Sequence, residues 1–127
     1  MIICYDLRFP IWSRNLHGND YDILLVCANW PEVRIAFWDA LVAARAVENQ
    51  CLIVAANIVG EDGEGLHYNG HSAAYDTRMK ELLGFADNEE GTRIAELSIP
   101  SLHHFREVLP LWKDTDRELV RQVRMSD

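Results

Sequence analysis

The sequence predicts an α/β fold in which apolar strands alternate with helices. Three short apolar runs, at residues 1–5, 23–27 and 51–57, have the length of buried strands. In residues 35–49, apolar side chains recur at three- and four-residue steps, which is the spacing of one helix face. Strands and helices that alternate in this way are typical of a layered fold with helices packed on a sheet.

The first half of the chain supports this interpretation element by element. Pro10 precedes a predicted helix at 11–16, and its fixed φ suits the first position of a helix. The run at 23–27 is apolar at every position, which is typical of a strand covered on both faces. The polar and proline-containing segment 29–31 then ends that strand and leads to the long helix.

The second half predicts shorter elements separated by polar turns. A glycine-rich acidic loop at 60–65 lacks the Lys and Ser or Thr of a phosphate-binding loop. Short strands and a final helix with Ser98 as its N-cap are expected at 72–75, 81–85, 93–97 and 99–109. We expect residues 1–112 to form one domain and 113–127 to form a charged, exposed tail.

Composition excludes several classes of function. The net charge is −8, from 20 acidic and 12 basic side chains, which argues against binding to nucleic acid or an anionic membrane. No apolar run approaches the roughly 20 residues that span a bilayer, and no basic leader precedes the first strand. The cysteines, Cys4, Cys27 and Cys51, have no metal-knuckle or disulfide-framework spacing, so free thiols in a reducing cytoplasm are expected.

Residues 4–10, of sequence CYDLRFP, carry the sharpest chemical signal. Cys4 stands at a predicted strand end before a tight turn, which is where nucleophile elbows present a side chain. The turn would leave the N–H of Tyr5 free to stabilise an oxyanion. The residues alone leave open that Cys4 is simply a small buried hydrophobic side chain.

This segment resembles the nucleophile motif of the nitrilase, or carbon–nitrogen hydrolase, superfamily. Further segments resemble that family in the same order along the chain, at 21–27, 29–31, 43–49 and 70–76. The segments 12–15 and 28–31 most resemble the ω-amidase branch.

The resemblance implies that residues 1–112 are the C-terminal half of a carbon–nitrogen hydrolase domain with a four-layer αββα sandwich fold, in which Cys4 is the nucleophile. Such enzymes attack an amide carbon, release ammonia and hydrolyse the resulting thioester. The ω-amidase branch acts on the terminal carboxamide of small 2-oxo dicarboxylate monoamides. In the family, the catalytic glutamates and the lysine precede the cysteine, whereas Cys4 is the fourth residue here. Lys80 and Lys113 match no catalytic motif, so we expect this chain alone to be nearly inactive.

Other residues are candidates for the same site. Asn29 and Trp30 end a core strand, where ligands often bind in α/β folds, although simple packing is an equal alternative. Arg8 either lowers the pKa of the Cys4 thiol or orders the turn by pairing with Asp6 or another carboxylate.

Arg45 and Glu48 are three residues apart on one predicted helix face and are expected to form a supporting ion pair. We expect no cofactor and no metal, because the histidines, His67, His71, His103 and His104, lack the spacing of a metal site.

The family resemblance also predicts a partner. The helices at 11–16 and 35–49 match those that commonly form a homodimer interface in the family, and they carry the aromatic side chains Trp12, Phe37 and Trp38. A half-sandwich would also expose an apolar sheet face and be poorly soluble. The competing interpretation is an inactive remnant or interaction module that keeps the fold without turnover.

Overall fold

The structure is a computed structural model that describes residues 1–18 and 20–125. Its strands are β1 (Ile2–Ile3), β2 (Ile23–Ala28), β3 (Leu52–Asn57), β4 (Val59–Glu61), β5 (His67–Asn69), β6 (Ala73–Tyr75) and β7 (Glu81–Gly84). Its α-helices are α1 (Ile35–Glu48), α2 (Ile99–Val108) and α3 (Arg117–Met125). Short 3₁₀ helices lie at Cys4–Arg8, Pro10–Ser13, Glu32–Arg34 and Leu111–Asp114.

The main sheet has the strand order β1-β2-β3-β6-β7. Strands β1, β2 and β3 run parallel, with Ile3 paired to Cys27 and Cys27 paired to Ala56. Strand β6 pairs with β3 in the antiparallel sense and β7 pairs with β6 in the antiparallel sense, while β4 and β5 form a separate hairpin. The carboxyl ends of β1, β2 and β3 therefore meet at one edge, as expected for strands joined by helical crossovers.

The core lies on one face of this sheet, beneath α1. Strand β2 alternates strictly between buried and exposed residues, and its inward side chains are Leu24, Val26 and Ala28. These side chains share one cluster with residues of the neighbouring strand and helix, among them Trp38, Val42, Ala46, Ile53 and Ala55. Burial of this apolar surface is the main contribution that fixes α1 against the strands.

The opposite face of the sheet is apolar but open among the described residues. Ile3 is 58% exposed, Leu25 is 45% exposed and Ile23 is 37% exposed. The prediction that residues 23–27 are covered on both faces is therefore wrong for the described part of the chain. Apolar composition selected the strand correctly, but composition alone could not say which face the chain covers.

Three other sequence predictions, a helix, a strand and an exposed tryptophan, need correction. The helix expected at 11–16 is a 3₁₀ helix at Pro10–Ser13. The strand expected at 93–97 is irregular. In that segment Ile94 is 97% exposed, so the alternating pattern has no covered face to pack against. Trp38 is only 1% exposed, so intradomain packing rather than an exposed interface accounts for it.

The C-terminal region also differs from a simple tail. The charged, exposed tail expected at 113–127 includes the helix α3, on which Leu119 and Val123 are 58% and 48% exposed. The domain boundary at residue 112 stays a prediction. No helix within residues 1–18 and 20–125 is both long enough and apolar enough to cross a bilayer.

Candidate active site at the carboxyl edge of the sheet

Cys4 lies where β1 ends and the chain turns sharply. Its φ is +43°, in the left-handed region that residues other than glycine seldom adopt. Such a conformation costs on the order of 1–3 kcal/mol and persists only where the surrounding structure imposes it. The strained turn directs the chain away from the sheet at Cys4, which is the geometry expected of a nucleophile elbow.

Hydrogen bonds at both ends of the turn hold the elbow in place. The backbone N–H of Ile3 donates to Asp6 Oδ2 at 2.9 Å, and the N–H of Phe9 donates to the Asp6 carbonyl at 3.0 Å. Leu7 is fully buried, and its carbonyl accepts a 2.6 Å hydrogen bond from Arg45 Nη2. Asp6 and Arg45 thus fix the elbow to the strand before it and to α1 behind it.

The ion pair predicted between Arg45 and Glu48 is present. Arg45 Nη1 lies 2.9 Å from Glu48 Oε1, and the Arg45 side chain is only 5% exposed. Arg14 Nη1 lies 3.7 Å from the other oxygen of the same carboxylate. Glu48 therefore neutralises a buried guanidinium that supports the elbow, which agrees with a structural rather than a catalytic role.

Arg8 does not pair with a carboxylate among the described residues, contrary to one of the two expected roles. Its guanidinium carbon lies 4.6 Å from the ring centroid of Trp30 and 5.8 Å from those of Tyr5 and Phe37. The faces of aromatic rings attract such a cation. Arg8 consequently orders the turn through aromatic side chains instead of through Asp6.

Cys4 borders an open hollow of about 580 Å³ at the carboxyl ends of β1, β2 and β3. The polar side chains that line it besides Cys4 include Asn29 and Asn57. In the described part of the chain, Cys4 Sγ has one hydrogen-bond contact, 3.8 Å long, to the carbonyl oxygen of Asn29. The hollow suits a small molecule with a polar group, because the exposed Asn29 amide can donate and accept hydrogen bonds at its wall.

Asn57 is a site residue that the sequence reasoning did not single out. Its Oδ1 accepts from the N–H of Trp30 at 2.6 Å, and its Nδ2 donates to the carbonyls of Trp30 at 3.0 Å and Gly70 at 2.7 Å. Ser72 Oγ accepts from the Asn57 N–H at 2.9 Å. This amide fastens the turn after β2 to the loop before β6. The sequence feature that could have identified Asn57 is its position at the end of an apolar strand, which it shares with Asn29.

Trp30 lies beneath the hollow and is not one of its lining residues. The ring is 2% exposed, packs 5.9 Å from the ring of Trp38, and donates from Nε1 to the Arg34 carbonyl at 2.8 Å. Trp30 packs in the core, and its neighbour in the chain, Asn29, lines the hollow. Contact between Trp30 and a substrate stays a prediction.

Tyr5 is the second residue of the 3₁₀ helix at Cys4–Arg8, so its backbone N–H has no acceptor within that turn. That N–H remains the candidate oxyanion donor, while the Tyr5 side chain is 65% exposed. By contrast, burial raises the pKa of the Cys51 thiol to about 12. Since the thiolate is the reactive form, Cys51 is a poor nucleophile, whereas Cys4 borders the hollow.

The histidines pair with carboxylates instead of clustering. His71 lies between two of them, with Nδ1 3.0 Å from Asp39 Oδ1 and Nε2 hydrogen-bonded to Asp87. Among residues 1–18 and 20–125, no group of three or more His, Cys, Asp or Glu side chains is arranged to hold a metal ion. His71 instead joins α1 to the loops that flank β6 and β7.

The elbow, the sheet edge and the hollow together define the class of protein. Residues 1–107 match the carbon–nitrogen hydrolase family, and the chain belongs to that family. Its α/β sheet with flanking helices confirms the predicted fold class as part of a nitrilase-type sandwich.

Within the nitrilase superfamily, the chain is similar to the ω-amidase branch. It is 50% identical over 116 residues to the ω-amidase YafV of Escherichia coli, which covers 91% of this chain and 44% of that protein. It is 35% identical over 118 residues to the 2-oxoglutaramate amidase of Bacillus subtilis, covering 93% of this chain and 45% of that protein.

A solved structure agrees with the family assignment. A CN-hydrolase superfamily protein of Xanthomonas campestris, solved with an arsenic adduct in its active site, superposes with a TM-score of 0.84. It is 38% identical, and the match covers 90% of this chain and 45% of that one. The chain thus spans a little less than half the length of the relatives it matches.

Proposed function

We propose that this chain carries the nucleophile of an ω-amidase-like amidohydrolase, which converts a small 2-oxo dicarboxylate monoamide to the diacid and ammonia. The observation that carries the proposal is Cys4 in a left-handed turn, bordering a hollow at the carboxyl edge of parallel strands. The similarity to an ω-amidase and a 2-oxoglutaramate amidase supports the substrate class.

The chemistry proceeds in two steps. The Cys4 thiolate attacks the carboxamide carbon, and the oxygen of the tetrahedral intermediate accepts a hydrogen bond from the Tyr5 N–H. The carbon–nitrogen bond then breaks, and the nitrogen leaves as ammonia with a proton from a general acid. Water next attacks the thioester carbon, which releases the carboxylic acid and restores the thiol.

Two groups for this reaction are not found beside Cys4 among the described residues. A general base must receive the thiol proton, and a cation must support the oxyanion alongside Tyr5. Among the described residues, however, the hydrogen-bond partner of the Cys4 sulfur is a backbone carbonyl oxygen. We propose that these groups come from polypeptide outside the 127 residues, either in the same chain or in a second one. A positioned acid–base group typically contributes about 10²–10⁴-fold in rate.

The remaining assignments belong to the same proposal. Asn29 lines the hollow and is suited to hold the amide or carboxylate end of the substrate. Trp12 and Phe37, which are 61% and 55% exposed, are suited to a homodimer interface formed by the segments 11–16 and 35–49. The free thiols fit a reducing cytoplasm as the location.

A chimera tests the nucleophile. The 116 residues of this chain that match the E. coli ω-amidase would replace the corresponding part of that enzyme, so that one polypeptide holds the complete site. We expect the chimera to release ammonia from 2-oxoglutaramate, and the Cys4→Ala chimera to fall to background while keeping its circular-dichroism spectrum. Unchanged turnover after Cys4→Ala would remove Cys4 from the mechanism. The matched control Cys51→Ala should retain activity.

The isolated chain tests where the other groups reside. We expect the purified 127-residue protein to give negligible ammonia release from 2-oxoglutaramate. Robust turnover by this chain alone would show that its own residues complete the site.

The alternative function is an inactive interaction module, and the open apolar face of the sheet favours it. That face can bind another polypeptide whether or not the site is active. A correctly folded chimera that binds 2-oxoglutaramate without releasing ammonia would support the module over the enzyme.

A further inference from the structure

Two thiols, not one, border the hollow at the sheet edge. Cys27 lies in β2 directly opposite Ile3, the residue before Cys4, and both Cys4 and Cys27 line the hollow. Cys27 is exposed, Cys4 is half-buried, and neither is in a disulfide. Cys27 has no part in the hydrolysis proposed above, so its position calls for a separate explanation.

The pairing of Ile3 with Cys27 sets the spacing expected between Cys4 and Cys27. Neighbouring strands lie about 4.8 Å apart and rise about 3.3 Å per residue, which puts diagonal Cα atoms roughly 6 Å apart. Disulfides form at Cα separations of about 4.4–6.8 Å. In a straight strand Cys4 would face away from Ile3 and Cys27, because side chains alternate. The left-handed turn at Cys4 breaks that alternation, and Cys4 lines the same hollow as Cys27.

We propose that Cys4 and Cys27 are a redox pair that closes a reversible intramolecular disulfide when a hydroperoxide oxidises the site. The hydroperoxide oxygen transfers to one thiolate, giving a sulfenic acid and an alcohol or water. The second thiolate attacks that sulfur, the S–O bond breaks, and water leaves as the S–S bond forms. Two electrons from the thiols thereby reduce one hydroperoxide.

The disulfide would protect Cys4 from irreversible oxidation. A sulfenic acid without a nearby thiol is oxidised further to sulfinic and sulfonic acids, whereas a disulfide is restored by a dithiol reductant. Cys51 serves as an internal reference, because it is fully buried in the core. The pairing is independent of amide hydrolysis: it requires only the two thiols in one hollow.

Peptide mapping of the oxidised chain tests the pairing. Trypsin separates the cysteines into the peptides 1–8, 15–34 and 46–78. The folded 127-residue protein is treated with hydrogen peroxide, alkylated with iodoacetamide in denaturant, and digested without reductant. We expect a cross-link between peptides 1–8 and 15–34, loss of alkylation at both, and full alkylation of Cys51. Dithiothreitol should restore both alkylation signals, and the protein should remain monomeric on a non-reducing gel.

Two variants and one condition control the experiment. Cys27→Val suits an exposed strand position and should leave Cys4 as sulfinic or sulfonic acid, which dithiothreitol does not reverse. Cys51→Ala should give the same cross-link as the unmodified sequence. Protein unfolded in urea should scramble all three cysteines.

Three results would each overturn the proposal. These are over-oxidation of Cys4 with Cys27 still alkylated, cross-links between chains only, or the same scrambled pattern before and after unfolding. None of them bears on amide hydrolysis, which the chimera measures separately.

Discussion

The two faces of the main sheet have the same kind of side chain and opposite environments. On the face beneath α1, Leu24, Val26 and Ile53 are at most 4% exposed, whereas on the other face Ile3 and Leu25 are 58% and 45% exposed. Exposed apolar surface of this kind usually marks a region that another protein element covers. The difference teaches that apolar patterning selects strands, while the covering elements decide which face is a core.

The candidate site lies where these two faces end. Cys4 is held from the covered side through Leu7 and Arg45, yet it borders a hollow that also includes Cys27 of the open face. The covered face therefore holds the Cys4 turn rigid, and the open face gives solvent and small molecules access to the hollow. Four measurements can break or sharpen this contrast.

The largest expected effect separates the two faces directly. Ile53→Ala should reduce the free energy of unfolding by about 2–5 kcal/mol, because it removes methyl groups from a closed core. Leu25→Ala, the matched change on the open face, should cost less than about 1 kcal/mol. Urea unfolding followed by tryptophan fluorescence measures both. Equal losses would mean that the open face is also covered in solution.

The next effect concerns the support that the covered face gives to the elbow. Arg45→Met should cost about 1–3 kcal/mol, because the buried Leu7 carbonyl loses its hydrogen bond. It should also alter the iodoacetamide labelling rate of Cys4 if the elbow depends on this bond. Arg34→Met, at an exposed position, is the control. An unchanged labelling rate after Arg45→Met would show that the elbow is held by local residues alone.

The third effect concerns the open face itself. Leu25→Lys should weaken self-association of the chain about tenfold, or about 1.4 kcal/mol, because a charge interrupts the apolar surface. Sedimentation velocity across a concentration series measures this change. Val33→Lys, at a residue 79% exposed outside the sheet, should have little effect. If both variants associate like the original chain, the open face is not the associating surface.

The smallest effect concerns His71, which links α1 to the loop after β7 on the covered side of the sheet. Burial alone would lower the pKa of His71, but its hydrogen bonds to Asp87 and Asp39 outweigh burial and raise the pKa above the ordinary 6.5. The stabilisation is thus fully present below about pH 6.5 and is lost as the pH rises through the higher folded pKa.

Because Asp87 is mostly exposed and solvent screens its charge, we expect this cluster to contribute little to stability. Urea midpoints measured from pH 5 to 9 should show the decline in the original sequence and a flatter profile in His71→Gln. His104→Gln removes an exposed histidine of α2 and is the control. If His71→Gln and the original sequence have the same dependence of urea midpoint on pH, the decline in stability belongs to groups other than His71.

The sequence by itself determined the strands at 23–27 and 51–57, the long helix, the Ser98 cap and the elbow motif at 4–10. The Ser98 hydroxyl accepts from the Ser101 N–H, as its position predicts. The Arg45–Glu48 pair was predictable as well, since both residues lie on one helix and their spacing fixes their distance. These features depend on interactions between residues a few positions apart, so the local pattern contains the information.

Only the tertiary structure decided which face of the sheet is covered, and which distant residues meet at its edge. Asn57 hydrogen-bonds to Trp30 and Gly70, Arg8 stacks over Trp30, and Cys27 lines the same hollow as Cys4, because strand order and register bring these residues together. Those contacts join residues separated by more than ten positions, and a one-residue change of register would reverse the facing of a strand. The periodicity of the sequence does not determine that register, because packing of the whole sheet sets it.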